Sequence, residues 1–380
     1  MGKVAFVTGA NGITGSYILE HLSNQPSSEW SELIATSRSS LNIIAKDERI
    51  KFIPLDFTKS PTELISEMQP ICSKVTHAFF SSYIHDDDFA QLNVQNAGLF
   101  EHFLDSITAV APALEAVVLQ TGGKYYNVHL GPVPSPIREE QPRLETPMGN
   151  FYFAQEDYLI AKQKDSNKWR WNVIRPEAII GCTARPNGMN AALCILLYLL
   201  VHKELGTEAK MPTNHIYWEG YDNISDARLV ADMTVWAATT PSAGNEAFNV
   251  ANGDYFCWQY FWPRLAEYVG ATASSEQVFE KSRPKRGETQ IELKFQDWAE
   301  ENKAVWDKMC DAAGLSDAKR TFSECNWPFQ TWVFQRGWNS TLSINKARRF
   351  GWTGHRDSFE SFTEAFDRFV EVGQVPPFRG

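Results

Sequence analysis

The sequence predicts an α/β protein: a doubly wound parallel sheet carrying a smaller, mostly helical C-terminal cap. Three observations predict it. Short apolar runs alternate with helix-period segments through the first half of the chain. The first run, VAFVTG at 4–9, leads straight into spaced glycines and then a helical pattern. After Gly181 the alternation stops, and apolar helices and Trp-rich loops follow.

Taken in order, residues 4–9 form the first strand. Residues 13–24 carry Ile13, Tyr17, Ile18 and Leu22 at helical spacing. LIATSR (33–38) and IKFIPLDF (50–57) read as further strands. Ser60-Pro61-Thr62-Glu63 reads as an N-cap, a first-turn proline and a Glu closing a capping box. THAFFSS (76–82), AVVLQTG (116–122) and WNVIRP (171–176) complete the strands, with helices over 88–109 and 151–164. Such βαβ alternation is the Rossmann pattern, and its ligands bind at the carboxyl ends of the strands. Beyond it, NEAFNVAN (245–252) is a lone strand that can return to the first sheet. The stretch 270–325 reads as polar and helical, with loops near 282–287, and 345–374 as two short amphipathic helices. The expected division is a dinucleotide-binding Rossmann domain of 1–180 and 218–253, and a substrate-binding cap of 181–217 and 254–380.

Composition bounds the partners. The chain has 380 residues, of which 43% are hydrophobic, with 13 Trp and 24 Phe. That content serves large cores or a wide apolar cavity, and composition leaves both open. A formal net charge of -10 argues against a nucleic-acid partner or an anionic membrane surface. The short basic cluster Lys346, Arg348 and Arg349 reads as a solvated helix end. Six cysteines show no CxxC pair and no metal spacing, which fits a reducing compartment, and the cytoplasm is the expected location. The first strand begins at once, so no signal peptide is expected before it. The longest apolar run, AALCILLYLLV at 191–201, is shorter than the ~20 residues a span needs. It reads as a buried core helix, with pocket lining or a subunit contact as alternatives. A homodimer is left open.

The cofactor site follows from spacing. Gly9, Gly12 and Gly15 stand at G-x-x-G-x-x-G spacing between a strand and a helix. Gly9 suits the tight turn, Gly12 the approach of backbone amides to a pyrophosphate, and Gly15 close helix–sheet packing. The second strand ends ATSRSS, with no acid to hold a ribose 2′-hydroxyl. Arg38, helped by Ser37, suits a 2′-phosphate, so NADPH/NADP+ is the expected cofactor. Asp56 accepts from the adenine amino group or caps a turn. Asn11 and Ile13 in the glycine loop, and Phe57, Ser81, Gln120 and Ile179 near strand ends, are the other expected cofactor contacts.

Lys124, in TGGK (121–124), follows a strand end where a nicotinamide lies. Tyr152, in NFYFAQED (150–157), begins the next helix and can face the same cleft. An ammonium near a phenol stabilises phenolate. The position four residues after Tyr152, where many short-chain reductases carry the lysine, holds Glu156.

LQTGGKYY (119–126), REEQPRL (138–144), NFYFAQEDYL (150–159), IRPEAIIG (174–181), NEAFNVANGDYFCW (245–258) and KARRFGW (346–352) resemble the progesterone 5β-reductase/iridoid synthase-like (PRISE-type) reductases. These are atypical extended short-chain dehydrogenases. The resemblance spans nearly the whole chain and implies NADPH-dependent reduction of the C=C bond of a lipophilic enone or enal. It also implies that the lysine of TG-x-K is Lys124 and the first tyrosine of NFYY is Tyr152. Glu156 then matches the family's Glu-Asp pair and reads as an ordinary early-helix acid.

Departures bear on the substrate. Tyr125 and Tyr126 follow Lys124 where the family has His-Tyr. Phe153 replaces the second tyrosine, Ser39 a second arginine, and Glu177 follows Arg175-Pro176. Tyr83, Tyr125, Tyr126, Phe153 and Met189 are the expected substrate contacts, with Tyr125 and Tyr126 lining the channel or packing beneath it. Trp327, Trp332 and Trp338 read as cap core, with roofing of the cavity as the alternative, and Glu139-Glu140 as a solvated loop. His85-Asp86-Asp87-Asp88 is read as a helix start, not a metal site, since adjacent acids cannot converge on one ion. Carbonyl reduction, epimerisation, dehydration or cyclisation on the same scaffold are the enzymatic alternatives. An NADPH-sensing regulator is the non-enzymatic one, disfavoured because Lys124 and Tyr152 are both present.

Overall fold

A computed structural model describes residues 2–86 and 88–379. The strands of the main sheet begin with β1 (Lys3–Val7), β2 (Trp30–Ser37) and β3 (Ile50–Pro54). β4 (His77–Phe80), β5 (Ala116–Gln120) and β6 (Arg170–Pro176) follow. Short pieces β7 (Ile179–Ile180), β8 (Tyr221–Asp222) and β9 (Ser225–Asp226) precede β10 (Glu246–Val250). β10 joins the main sheet, whose order is β10-β6-β5-β4-β1-β2-β3. Every pairing in it is parallel. β7 pairs with β9, and β8 with β11 (Phe256–Cys257). All seven strands expected from sequence are present, and NEAFNVAN does return to the sheet edge.

Both faces of the sheet are buried, which explains the uninterrupted apolar runs. Ala5 and Val7 of β1 enter one core, and Val4 and Phe6 the other. β5 alternates likewise, Ala116 and Val118 against Val117 and Leu119. The first face is covered by α1 (Ile13–Ser23) and α7 (Ala227–Thr239), the second by α2 (Pro61–Cys72), α3 (Phe89–Val110) and α4 (Phe151–Ser166). The capping box at Ser60 forms, with Glu63 bonded back to the Ser60 amide.

A third core builds the cap from α5 (Ala191–Leu205), α8 (Trp258–Val269), α9 (Phe295–Ala312), α10 (Lys319–Glu324), α11 (Trp327–Phe334) and α13 (Ser358–Glu371). The apolar run is α5. It is buried without a break from Ala192 to Val201 because helices pack on every side of it. No described helix is long and apolar enough to cross a membrane. All six cysteines are unpaired.

Two expectations need correction. Residues 271–294 form no helix, and α9 starts only at Phe295. Gly270, at φ +78, closes α8, and the Ser-, Pro- and Gly-containing stretch after it favours loops. The expected cap segment 254–380 is also not uniform. Leu342, Ile344, Ala347 and Trp352 pack in the sheet-side core, around the short helix α12 (Asn345–Arg349). Lys346 pairs with Glu246 of β10 at 2.7 Å, so only Arg348 and Arg349 of the basic cluster are the solvated end expected.

Candidate active site

The glycine loop lies where the sheet order reverses, between β1 and β4. Gly9 has φ +61, and a Cβ there would come within 2.7 Å of the Ser81 carbonyl oxygen. The Gly12 amide donates to the Gly9 carbonyl at 2.8 Å, closing the turn. A Cβ on Gly15 would overlap that same carbonyl. α1 starts at Ile13 after the N-cap Gly12, which has no side chain to cap it, so its first-turn amides are open to an anion. Ser81 is pinned by Thr8, its hydroxyl donating to the Thr8 carbonyl at 2.7 Å. Gln120 donates to Thr14 Oγ1 at 2.6 Å, while Gln120 Oε1 and Thr121 Oγ1 are buried without a hydrogen-bond partner among the described residues.

At the end of β2, Asn11 organises the following loop. Its Nδ2 donates to Ser37 Oγ, Ser39 Oγ and the Ser40 carbonyl, and its Oδ1 accepts from the Asn42 amide at 2.7 Å. Arg38 is exposed, lines the cavity, and has no ion pair among the described residues. Asp56 accepts from the Thr58 amide and hydroxyl at 3.0 and 2.9 Å. It is a turn cap and does not line the cavity, unlike its neighbours Leu55 and Phe57. Ile13, Ser37, Ser81, Gln120 and Ile179 all line it. A capless helix end and a glycine cradle that a Cβ would fill together fit a dinucleotide.

Lys124 sits in a turn of 3₁₀ helix, Gly123–Tyr126, directly after β5. Asn150 ties this turn to the start of α4. Its Nδ2 donates to the Lys124 carbonyl at 2.8 Å, and its Oδ1 accepts from the Tyr152 amide at 3.1 Å. The sequence reading missed this role, although an Asn directly before a helix is a legible N-cap. The Lys124 ammonium has no carboxylate partner among the described residues and lies 5.9 Å from the centre of the Phe89 ring. Burial lowers its pKa. Burial pushes the Tyr152 phenol well above its usual range, with a further push from Tyr83. Gly122 leaves room for that hydroxyl: a Cβ there would be 3.6 Å from it. Lys124 and Tyr152 line one cavity of about 880 Å³.

Beneath the cavity lies a buried ionic platform. Glu156 accepts from Arg175 Nη2 at 2.7 Å, from Arg143 Nη2 at 2.9 Å, and from the Tyr125 hydroxyl. Arg175 stacks on the Tyr125 ring at 3.6 Å and donates to the Tyr126 hydroxyl, which donates to Asn249 Oδ1. Glu156 is therefore no ordinary early-helix acid. It is 5% exposed and holds two arginines. Tyr125, Tyr126 and Phe153 belong to this platform and do not line the cavity. The turn after Gly123 folds both tyrosines back toward β6, and Phe153 points inward beside Tyr125. Glu139 is half-buried and accepts from the Asn249 amide at 2.8 Å, leaving only Glu140 as the exposed acid expected.

The cap supplies the opposite wall through Phe329, Trp332, Val333 and Arg336. Trp332 thus faces the cavity, whereas Trp327 and Trp338 are buried as expected. Tyr83 and Met189 line the cavity, as expected for substrate contacts. Asp88 caps α3, and Asp86 accepts from the Asp88 amide and Gln95; Asp87 lies outside the described residues.

A family model described as a PRISE-like Rossmann-fold domain matches residues 5–376. The chain belongs to this PRISE-like family. It is 52% identical over 377 residues to a Penicillium aethiopicum protein named short chain dehydrogenase gsfE, covering 99% of this chain and 100% of that one. It is 31% identical over 385 residues to (S)-8-oxocitronellyl enol synthase ISY1 of Nepeta racemosa, covering 98% and 93%. It is 29% identical over 384 residues to 3-oxo-Delta(4,5)-steroid 5-beta-reductase of Arabidopsis thaliana, again covering 98% and 93%. The PRISE-like chain is thus an oxidoreductase of the short-chain dehydrogenase type. Within it, the pair foreseen from TG-x-K and NFYF lines one cavity with the glycine loop. Asn150, Phe329 and Arg336 were the site residues that sequence reasoning passed over.

Proposed function

We propose that this protein is an NADPH-dependent reductase of the activated C=C bond of a lipophilic enone or enal. The observation that carries the reading is that a Lys124 ammonium with no carboxylate partner among the described residues and a protonated Tyr152 phenol line one largely apolar cavity beside the glycine loop. Two relatives carry names of enone and enal chemistry, an oxocitronellyl enol synthase and a 3-oxo-Delta(4,5)-steroid reductase, and these names support it.

Bound NADPH would supply the hydride to the carbon β to the carbonyl. Arg38 and Ser37 would hold its 2′-phosphate, and the open amides of α1 its pyrophosphate. Tyr152 remains protonated at neutral pH because burial disfavours its phenolate. It is therefore a hydrogen-bond donor to the substrate carbonyl oxygen. That bond strengthens as negative charge gathers on the oxygen, which is the condition for lowering the barrier. Lys124, which has no carboxylate partner among the described residues, adds positive potential to the same cavity. Trp332, Phe329 and Val333 keep water from the developing enolate and favour an apolar substrate.

The test is NADPH oxidation against a panel of enals and enones, with products identified. Saturated aldehyde or ketone supports the proposal. Alcohol as the product would replace it with carbonyl reduction, and NADPH-independent isomerisation would replace it with cyclisation or epimerisation. No oxidation across the panel would sink it.

A further inference from the structure

We propose that Glu177 is the acid that delivers a proton to the α carbon of the substrate, a step that rests on the ene-reductase reading above. Glu177 directly follows β6, which lies next to β5 in the sheet, and it lines the cavity. Its backbone is pinned on both sides by Ser225. The Glu177 amide donates to Ser225 Oγ at 3.0 Å, and that hydroxyl donates to the Glu177 carbonyl at 2.8 Å. Its side chain lies against Gly123, where a Cβ would meet Glu177 Cγ at 3.3 Å. The adjacent Gly122 position faces the Tyr152 hydroxyl. Carboxyl and phenol thus flank two successive glycines at the reacting end of the cavity.

The hydrogen bonds say which oxygen carries the proton. Arg336 Nη1 donates to Ser340 Oγ at 3.1 Å, and Ser340 donates to Glu177 Oε1 at 2.6 Å. The donors converge on Oε1, so an exchangeable proton belongs on Oε2. Oε2 is buried and has no hydrogen-bond partner among the described residues. In the anion Oε2 would be a desolvated oxygen with no donor of its own, the charge being met only on the Oε1 side by Ser340 and Arg336; in the acid Oε2 holds a proton that no described protein group accepts. Burial pushes the carboxyl up to about 7, against the opposing pull of Arg336. An acid with a pKa near the working pH suits proton transfer.

The charged and titratable groups around it are few. Arg336 lies 3.7 Å from Oε1. Behind it stand Tyr217, which accepts from Arg336 Nη2, and Asp222, which accepts from Tyr217. Lys124 is on the neighbouring turn.

The step balances. Hydride addition at the β carbon oxidises NADPH to NADP+ and leaves an electron pair shared between the α carbon and the carbonyl oxygen. A turn of the carboxyl about its Cγ–Cδ bond brings the buried Oε2–H to the cavity that Glu177 lines; that bond breaks, its electrons stay on the carboxylate, and the enolate pair forms the new α-carbon–hydrogen bond as the carbonyl is restored. Arg336 stabilises the carboxylate until water reprotonates it after product release. Tyr152 holds the oxygen while Glu177 serves the carbon.

The experiment compares wild type with Glu177→Gln, which keeps an acceptor for Ser340 but has no acidic proton. Both reduce the cyclic enone the panel favours, in D2O with deuteride-labelled NADPH, and NMR reads the relative configuration of the two deuterium atoms. Wild type is expected to give one configuration, and the variant a mixture with turnover lower by about 10²-fold. Wild-type kcat should fall as pH rises through about 7, while the variant shows no such limb. Difference infrared spectra of the resting proteins should show a protonated carboxyl at pH 6 that the variant lacks. Unchanged configuration and pH profile, or no such band, would overturn the assignment while leaving the reductase reading intact. A wild type inert toward the whole panel would overturn both.

Discussion

The two halves of the cavity are built differently. The cofactor half is made of strand ends and backbone: a glycine turn, an uncapped helix terminus and an arginine at the end of β2. The substrate half is made of side chains from distant segments, with Tyr83, Met189, Trp332 and Arg336 meeting over the β5 and β6 ends. The first construction tolerates little change, because a Cβ at Gly9 or Gly15 would strike backbone. The second can vary side chain by side chain without moving the sheet. A family can therefore keep one cofactor half and carry many substrate halves.

The largest effect should come from the platform that joins them. Glu156→Ala would leave Arg175 buried without its carboxylate, costing about 3–5 kcal/mol of stability. Urea denaturation measures it, and a loss under about 1 kcal/mol would mean the platform does not hold the halves together. Tyr152→Phe comes next. Turnover should drop by about 10²–10³-fold, with NADPH affinity, read by fluorescence titration, nearly unchanged. Comparable kcat in the variant would remove Tyr152 from the chemistry.

Arg38→Ala sharpens the cofactor half alone. It should weaken NADPH binding by about 10- to 100-fold, the worth of a lost charged hydrogen bond, and leave NADH binding as it was. Equal losses for both dinucleotides would show that Arg38 does not read the 2′-phosphate. Trp332→Ala is the mirror test on the substrate half. Loss of its apolar surface should raise KM for a lipophilic enone by about tenfold without altering NADPH affinity. A changed NADPH affinity would mean the halves are not separable.

These contrasts track what could be read in advance. Lys124 and Tyr152 were legible because each sits at a fixed point relative to a strand end or a helix start. Glu156 was legible as a residue but not as a role, since its partners Arg143 and Arg175 lie on separate segments. Phe153 was misplaced for a related reason, and of the two readings of Tyr125 and Tyr126 the packing beneath the channel is the one observed. Their spacing does not reveal that the turn after Gly123 rolls them under the floor. Asp56 had two readings, and only its bonds to Thr58 distinguish them.

By itself the sequence determined the sheet, its seven strands, the glycine cradle and the places of Lys124 and Tyr152 at a strand end and a helix start. Those features arise from local periodicity, turn chemistry and the position of a residue within its own element. The tertiary structure decided which aromatic residues face the cavity, that the chain near 342–352 returns to the sheet, and that Glu177 stands beside Arg336 and Ser340. Such placements depend on packing between segments more than a hundred residues apart, and no local pattern encodes them.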